Sequence, residues 1–344
     1  MFIISNYKGE YIINIKIKSI EYYHPNTAFS NDYYINHFSK KGVDIQGLLN
    51  VTGREERYIS TKEDENSLTM AIESCKRVLN SSKINKDEIG LVVFVSTTPE
   101  FLSPTNAIKI HHALGLSENC NAYDINGNCA GMIIALDQVC RTMKTNADIK
   151  YTLLIGSDIL ARNSRESEAI TYANFGEAAC AILLENSNDS SSDFIDSSSY
   201  VDSSLNHFIN FPPKGFSEVL RNSKNVNKEN KQIEWIDFNT DRGFASSVTS
   251  INNILEKNNL TKNDIKLYCL SQFAKRNIDL IKDSLNEKED KFPFIGDKFG
   301  YTGVTSPFIA LAESIKENKI KRGDNFILWT VGAGVVASTV LMKY

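Results

Sequence analysis

The sequence predicts an α/β fold made of two pseudo-equivalent halves that pack into five layers of helices and sheets. An internal repeat is the first reason, because three segments recur about 175 residues later in the chain. The second reason is a set of continuous apolar runs, LVVFVS, YTLLIG and FILWTVG, which are typical of strands covered by helices on both faces. A chain of 344 residues that is 42% hydrophobic can also bury a large core.

The first repeated segment predicts one buried strand in each half. NKDEIGLVVFVSTTPE, residues 85–100, is similar to TKNDIKLYCLSQFAK, residues 261–275. In both segments a polar helix end leads to an acidic residue, an isoleucine (Ile89 or Ile265) and an apolar strand. The two strands therefore occupy equivalent places in the two halves.

The other repeated segments predict a long helix and a second strand in each half. GNCAGMIIALDQ is similar to GVTSPFIALAES, with Ile134 matching Ile309, and YTLLIGSD is similar to NFILWTVGAG. Each copy thus contains a helix, a buried strand, a turn, a long helix and another buried strand. We expect an N-terminal half over residues 1–186 and a C-terminal half over residues 187–344.

The segment between the halves allows two interpretations. NSNDSSSDFIDSSSYVDSS, residues 186–204, is rich in Ser and Asp, which favours a flexible linker. Alternatively, a short linker ends near Asp193 and an edge strand follows, with the apolar residues Phe194, Ile195, Tyr200 and Val201. Further on, residues 222–231 are almost entirely polar and predict a solvated loop.

Charge and composition exclude several classes of protein. The net charge of -4 provides no basic field that attracts nucleic acid. The N-terminal segment MFIISNYKGEYIINIKIKS lacks the pattern of a signal peptide, and no apolar run is long enough to span a membrane. Without any C-x-x-C pair, the dispersed cysteines argue against zinc and redox sites. We therefore expect a cytoplasmic protein with reduced thiols, no metal, no membrane contact and no nucleic-acid partner.

One cysteine has the surroundings of a nucleophile. YDINGNCAGMIIALD, residues 123–137, predicts a strand that turns sharply into a buried helix, with Cys129 at the helix N-terminus. Free N–H groups and the positive end of the helix dipole favour the thiolate, which is the form that attacks thioesters. The alternative is a structural thiol, because free cysteine is among the most buried residue types.

Six segments together resemble the β-ketoacyl-acyl-carrier-protein synthase III family of the thiolase superfamily. They keep the family's order and spacing from about Ile13 to Tyr344, and they are VTGREERYIS, STTPEFLSPTNAIKIHHALGL, YDINGNCAGMIIALD, LLIGSDILAR, ANFGEAACAILL and GDNFILWTVGAGVVASTVLMKY. The resemblance implies a thiolase-like five-layer αβαβα fold, in agreement with the repeat. It also implies a homodimer, or a heterodimer with a related ketosynthase. The implied substrate is an acyl-coenzyme A or acyl-carrier-protein thioester, without a bound cofactor.

The resemblance gives roles to two residues. In the family, the cysteine that matches Cys129 takes the acyl group from acyl-coenzyme A and becomes an acyl-enzyme. The oxyanion hole of the family corresponds to the backbone N–H groups of Cys129 and of Ala333, in VGAGVV. The family usually has glycine in the place of Ala333, and alanine keeps the N–H group.

Two positions depart from the family pattern. Ser271, in SQFA, stands where the family has the decarboxylation histidine, and Tyr301, in GYT, stands where it has asparagine. Serine cannot act as an imidazole base, and tyrosine is bulkier than asparagine. We therefore expect decarboxylative condensation to be altered or lost. The candidates for a substitute base are Tyr301 and Glu177, whereas we expect His111, His112 and His207 to be solvated.

The contacts to the acyl donor also differ. The Trp and Arg that clamp the adenine of coenzyme A in well-known members map to Gly47 and Ala169, so the stacking platform is lost. Arg276, beside Lys275, matches a basic position that faces the phosphopantetheine or the carrier protein in the family. An ordinary exposed helix charge is the alternative.

Three functions remain open. The first is acyl transfer from Cys129 to an acceptor other than a malonyl carbanion, in fatty-acid, polyketide or specialised-metabolite biosynthesis. The second is a catalytically reduced partner subunit or scaffold of a ketosynthase-like dimer. The third is an atypical ketosynthase that uses Tyr301 or Ser271 in an unfamiliar role. We expect the first, because a pure scaffold has no chemical need for a thiol at residue 129.

Overall fold

Two β-sheets form the centre of the fold, and each contains one copy of the repeated unit. The computed structural model of the protein describes residues 13–221, 226–238 and 241–344. Two segments interpreted from the sequence lie partly outside the described residues: the first twelve residues of the N-terminal segment, and 222–225 of the expected loop. In the described part of that loop, residues 228–231 form a turn of 3₁₀ helix.

The strands of the described residues are β1 (Asn14–Tyr23), β2 (Ala28–Ser30), β3 (Glu56–Tyr58), β4 (Ile89–Val95), β5 (Asn121–Ile125), β6 (Tyr151–Ile159), β7 (Glu177–Ser187), β8 (Asp193–Val201), β9 (Ile209–Asn210), β10 (Glu234–Trp235), β11 (Ile265–Leu270), β12 (Asn325–Gly332) and β13 (Val336–Lys343). The α-helices are α1 (Asn31–Ser39), α2 (Gln46–Thr52), α3 (Ser67–Ser82), α4 (Asn106–Leu114), α5 (Gly131–Thr145), α6 (Ala169–Tyr172), α7 (Gly215–Arg221), α8 (Asp241–Lys257), α9 (Lys275–Leu285), α10 (Gly296–Phe299) and α11 (Ser306–Lys316). Short 3₁₀ helices precede β4 and β11, and another, Gly303–Thr305, precedes α11.

The two sheets are built on the same plan. The larger has the strand order β1-β7-β6-β4-β5 and the smaller has the order β11-β12-β13-β8. In the larger sheet β4 is parallel to β5 and β6, and in the smaller sheet β11 is parallel to β12. β1 lies antiparallel to β7 just as β8 lies antiparallel to β13. Among the described residues, the smaller sheet has no counterpart of β5.

Helices and sheets alternate in five layers, which confirms the predicted fold class. Helices α5 and α11 lie between the sheets, where Met132 and Phe308 belong to one buried cluster with residues of both sheets. Helices α3 and α4 cover the outer face of the larger sheet. Helices α8 and α9 cover the outer face of the smaller sheet. Both faces of the central strands are therefore buried, which explains their continuous apolar sequences.

The repeat is confirmed element by element. Ile89 is the first residue of β4, and Ile265 is the first residue of β11. Ile134 lies in α5 and Ile309 in α11. The matched segments therefore lie in equivalent elements that follow the same order, although β5 of the first copy has no counterpart among the described residues of the second.

The Ser- and Asp-rich segment between the sheets forms an edge strand, so its interpretation as a flexible linker is wrong. β8 pairs with β13 along its length, and the Phe194 side chain is buried in the central core. Pairing with β13 satisfies the backbone polar groups on one side of a segment that has few apolar residues. The boundary between the expected halves at residues 186 and 187 stays a prediction; the larger sheet ends with Ser187 and the smaller begins with Asp193.

No helix among the described residues is long and apolar enough to cross a membrane. Within the same residues, no group of three or more His, Cys, Asp or Glu side chains is arranged to hold a metal ion.

Candidate functional site

Cys129 lies in the turn that joins β5 to α5. Asn128 adopts a left-handed conformation with φ of 54°, and the Gly131 N–H donates to the Asn128 carbonyl over 2.9 Å. The turn is so tight that a Cβ atom at Gly127 would lie 2.8 Å from the Cα atom of Gly131. Cys129 therefore stands two residues before the helix, and it is the partly exposed cysteine, whereas Cys75, Cys120, Cys140, Cys180 and Cys269 are buried.

The turn of the β12–β13 hairpin packs directly against the backbone of Cys129. A Cβ atom at Gly332 would lie 2.9 Å from the Cys129 nitrogen, so this approach requires glycine. The Asn128 side-chain amide donates to the Ala333 carbonyl over 2.9 Å. Among the described residues, neither the Cys129 nor the Ala333 N–H group donates a well-formed hydrogen bond to another residue. Both N–H groups thus lack a well-formed partner among the described residues, and both residues line the same cavity.

The thiol opens into a cavity of about 170 Å³ that both halves line. The C-terminal part contributes mainly apolar side chains, among them Ile233, Trp235, Phe244, Phe273 and Val335. The N-terminal part adds Leu160 and Phe175, together with the polar side chains of Thr97, Thr98, Asn126 and Asn128. An apolar group of moderate size fits next to the sulfur atom.

Tyr301 and Ser271, the two positions where the sequence departs from the expected pattern, lie close together, and of the two Tyr301 lines this cavity. Tyr301 is 3% exposed, and its hydroxyl lies close to the Cys129 thiol, although no well-formed hydrogen bond joins the two groups. The Ser271 hydroxyl is buried near Tyr301 and forms no well-formed hydrogen bond with any described residue. Burial raises the pKa of Tyr301 well above its ordinary value, and the proximity of Cys129 raises it further.

The resting form of the nucleophile differs from the one expected at a helix N-terminus. Burial raises the pKa of the Cys129 thiol to about 12, and the negative charge of Asp158 contributes to the rise. The nearby Tyr301 hydroxyl lowers the pKa by a smaller amount. This raised pKa, whose largest cause is loss of hydration, favours the protonated thiol in the resting protein over the expected thiolate.

Asp158 is a site residue that the sequence patterns did not single out. Its carboxylate is fully buried and accepts hydrogen bonds from the Ser96 hydroxyl (3.1 Å), the Thr97 N–H (2.8 Å) and the Val304 N–H (3.0 Å). Gly303 has φ of 62°, and a Cβ atom there would collide with the carboxylate. Asp158 therefore ties the cavity wall at Thr97 to the segment that follows Tyr301. The signal in the sequence is an acidic residue within the otherwise apolar strand YTLLIGSDI.

Arg54 is a second such residue, and it holds the segment that contains Ser271. Its side chain is 2% exposed, and its Nε donates to the Asn174 side chain over 2.6 Å. One terminal nitrogen donates to the carbonyl groups of Gln272 and Phe273, the latter over 2.8 Å. Burial lowers the pKa of Arg54 to about 9. The sequence signal was an arginine in VTGREERYIS, a segment that we interpreted only as part of the resemblance.

Glu177 does not take part in the site. It is fully buried outside the cavity lining, where it accepts from the Arg162 Nε over 3.0 Å and from the Ser60 N–H over 2.9 Å. The hypothesis that Glu177 is the substitute base is therefore wrong. No histidine occurs among the described residues that line the cavity.

The two cations expected to contact the acyl donor, Lys275 and Arg276, do not line the cavity. Lys275 forms ion pairs with Asp279 and with Glu289, the latter over 2.9 Å. Arg276 is exposed at the start of α9, and it forms no ion pair with the described residues. Of the two cations, Arg276 is therefore the one without an ion pair among the described residues.

Comparison with known proteins shows the family. The descriptions "3-Oxoacyl-[acyl-carrier-protein (ACP)] synthase III" and "3-Oxoacyl-[acyl-carrier-protein (ACP)] synthase III C terminal" match residues 123–203 and 255–344. The chain is 33% identical over 302 residues to the beta-ketoacyl-[acyl-carrier-protein] synthase III of Clostridium perfringens (strain SM101 / Type A), covering 85% of this chain and 88% of that protein. The chain belongs to the β-ketoacyl-[acyl-carrier-protein] synthase III family.

Other members of the synthase III family agree with this assignment. The chain is 29% identical over 311 residues to the enzyme of the same name from Shigella dysenteriae serotype 1, covering 89% of this chain and 93% of that protein. The crystal structure of 3-oxoacyl-[acyl-carrier-protein] synthase III from Aquifex aeolicus VF5 superposes with a TM-score of 0.82 at 25% identity, over 96% of this chain and 100% of that one. The protein is thus a synthase III-like, acyl-transferring enzyme with the thiolase fold.

Proposed function

We propose that Cys129 accepts an acyl group from a coenzyme A or acyl-carrier-protein thioester and passes it to an acceptor other than a malonyl carbanion. Decarboxylative condensation is altered or lost. The observation that supports this proposal best is the position of Cys129 in the wall of an apolar cavity. Ala333, whose N–H group lacks a protein partner as that of Cys129 does, lines the same cavity, and Tyr301 lies close to the thiol. The names of the relatives support the acyl carrier protein as a partner and fatty-acid biosynthesis as the setting.

The loading step needs no external base. The Cys129 sulfur attacks the thioester carbonyl, and the carbonyl oxygen becomes an anion that the N–H groups of Cys129 and Ala333 bind. The carbon–sulfur bond to the pantetheine breaks, and the proton of the Cys129 thiol goes to the departing pantetheine sulfur. The products are the acyl-enzyme and a free pantetheine thiol, so atoms and charge balance.

The transfer step also has its own proton acceptor. When an alcohol or amine attacks the acyl-enzyme, its proton moves to the departing Cys129 sulfur, and the free thiol is restored. A thiolate with a pKa near 12 is a strong base, so the burial of Cys129 favours this proton transfer. Tyr301 keeps its proton because its own pKa is raised, and we therefore assign it as a hydrogen-bond donor to the sulfur and not as the base.

The residues beside the thiol argue against ordinary malonyl decarboxylation. An enolate that forms on a thioester carbonyl needs donors aimed at its oxygen. The Ser271 side chain is short, and its hydroxyl is buried near Tyr301. The Tyr301 side chain lines the cavity and lies close to the sulfur. The loss of the adenine clamp at Gly47 and Ala169 favours a carrier-protein donor over coenzyme A.

Intact-mass spectrometry tests the proposal. Wild-type protein and Cys129→Ala are incubated with a panel of acyl-coenzyme A and acyl-carrier-protein thioesters, and malonyl-carrier protein is added in a parallel series to follow carbon dioxide release. We expect an acyl adduct on the wild type that is absent from Cys129→Ala, without decarboxylation. If no donor leaves an adduct, the chain is better described as a reduced partner subunit of a ketosynthase-like dimer. Malonyl decarboxylation would instead indicate an atypical ketosynthase.

We also propose that the protein is a homodimer in the cytoplasm. β5 is an edge strand that pairs only with β4 among the described strands, and its outer hydrogen-bonding edge can pair with another chain. Light scattering of the purified chain tests this proposal, because a monomer would contradict the homodimer and would direct attention to a related ketosynthase as the partner.

A further inference from the structure

A row of aromatic rings leads from the Cys129 thiol towards the surface. Next to the thiol, the Tyr301 ring meets the Phe273 ring edge-on, with centroids 5.2 Å apart and planes at 79°. Trp235 stacks on Phe273, with centroids 5.4 Å apart and planes at 9°, and Phe238 follows at 5.8 Å from Trp235. Tyr301 is buried, whereas the other three rings are half-buried. We call these four residues the aromatic row.

All four members of the aromatic row line the cavity, so their rings face the space in which the reacting molecule lies. The polar side chains of the cavity wall come from other segments, namely Thr97, Thr98, Asn126 and Asn128. None of the described lining residues is charged. The wall therefore offers ring surfaces for an apolar group, together with a few neutral hydrogen-bonding groups for a polar substituent.

We infer that the aromatic row binds a flat, uncharged aromatic group carried by the molecule that reacts at Cys129. This inference rests on the proposed function, because the ligand occupies the same cavity. Aromatic rings attract one another in offset-stacked or edge-to-face arrangements, beyond what their apolar area provides. A cavity of about 150 Å³ is enough for a benzene ring in a protein core, and this one has about 170 Å³. The aromatic group enters either with the acyl donor or with the acceptor.

Binding can be measured without chemistry in Cys129→Ala, which cannot form the acyl-enzyme. The chain has two tryptophans: Trp235 lies in the aromatic row, and Trp329 is 1% exposed in the core. Adding Trp329→Phe makes Trp235 the reporter of binding by fluorescence. The donor arm compares phenylacetyl and cyclohexylacetyl thioesters of N-acetylcysteamine. The acceptor arm compares benzyl alcohol and cyclohexylmethanol. In each arm the two probes have the same carbon skeleton and differ in planarity.

We expect the planar probe to bind about five to ten times more tightly than its saturated partner in one of the arms, and that arm identifies the source of the aromatic group. Phe273→Leu should reduce the preference to about twofold or less. The matched control is Phe292→Leu, which removes a ring from another stacked pair, Tyr268 and Phe292, at 4.8 Å and outside the cavity. This control should keep the preference. If Phe273→Leu does not fold, Phe238→Leu replaces it.

Equal affinities for both probes in both arms would overturn the inference, and so would a preference that survives both Phe273→Leu and Phe238→Leu. The outcome is separable from that of the proposed function. A planar preference in Cys129→Ala without any acyl adduct on the wild type would overturn only the acyltransferase proposal. Adduct formation with equal affinities would overturn only the aromatic ligand.

Discussion

Cys129 and Tyr301 are two neutral acids side by side in the resting protein, because burial raises the pKa of both groups. A neutral thiol is protected from most electrophiles, and it becomes nucleophilic only as its proton leaves. In the proposed mechanism the Tyr301 hydroxyl stabilises the sulfur anion when that happens. We therefore expect the reactivity of Cys129 to depend on this hydroxyl and on the amount of water that reaches the sulfur.

The rate at which iodoacetamide alkylates Cys129 should report this pairing. Far below a pKa of about 12, the thiolate fraction grows about tenfold per pH unit, so the rate should rise from pH 7 to 9 without a plateau. Tyr301→Phe removes a donor that lowers the Cys129 pKa, and it should slow alkylation at pH 9 about threefold to tenfold. Mass spectrometry of the labelled peptide measures both effects.

Tyr268→Phe is the matched control for this experiment, because Tyr268 is a buried tyrosine of the C-terminal core that does not line the cavity. Its alkylation rate should equal that of the wild type. A plateau near pH 8.5, or a Tyr301→Phe variant that reacts as fast as the wild type, would contradict the assigned role of the hydroxyl.

At the scale of elements, the site depends on two turns whose backbones come into contact at Gly332. The turn before α5 carries Cys129, and the β12–β13 turn carries Ala333, so the two N–H groups come from opposite halves. Gly332 allows the backbones to approach, because its missing side chain leaves room for the Cys129 nitrogen. The proposed pair of donors therefore depends on the relative position of the two turns, and not on either turn alone.

Gly332→Ala should separate the two turns and weaken the pair of donors. Its Cβ atom would lie 2.9 Å from the Cys129 nitrogen, so the hairpin must shift. Loss of one oxyanion donor typically slows acyl transfer about a hundredfold or more, and we expect a fall of that size in the rate of adduct formation. Gly47→Ala is the control, since no atom lies within 4 Å of the added carbon. Equal rates in both variants would argue against the donor pair.

Arg54 joins the end of α2 to the segment before α9, and we expect its contacts to contribute strongly to the free energy of unfolding. Arg54→Met leaves the carbonyl groups of Gln272 and Phe273 without their buried donor. We expect the free energy of unfolding to fall by about 3–5 kcal/mol, as measured by urea denaturation. Arg322→Met, which removes an exposed arginine over the Tyr344 ring, should cost less than about 1 kcal/mol. Similar losses in both variants would show that the Arg54 contacts are weak.

At the scale of the whole molecule, periodicity and the internal repeat predicted the five layers, because buried parallel strands and long helices leave strong local signals. The position of Cys129 followed from the small residues of its turn. Asp158 and Arg54 were not predicted, since their importance comes from partners 62 and 218 residues away in sequence. The raised pKa of Cys129 also depends on burial by distant segments, which a local pattern does not contain.

The buried cysteine thiols predict that the protein loses stability at alkaline pH. Burial raises the pKa of Cys75, Cys140, Cys180 and Cys269 far above the ordinary value of 9.0. The folded state keeps these protons in a pH range where the unfolded chain loses them, so their contribution to stability is complete below pH 9 and falls as the pH rises further. Each thiol should lower the free energy of unfolding by about 1 kcal/mol between pH 9 and 10.

The contribution of a single thiol can be measured from the slope of the free energy of unfolding against pH. Urea denaturation at pH 8, 9 and 10 should give a steep decrease for the wild type and a decrease smaller by about 1 kcal/mol between pH 9 and 10 for Cys75→Ala. Ser74→Ala, at a neighbouring buried position without a titrating group, should change the stability but leave the slope as it is. If the wild-type free energy of unfolding stays constant to pH 10, the thiols have ordinary pKa values in the folded protein. Water would then reach the thiols in spite of the packing of both sheets around them.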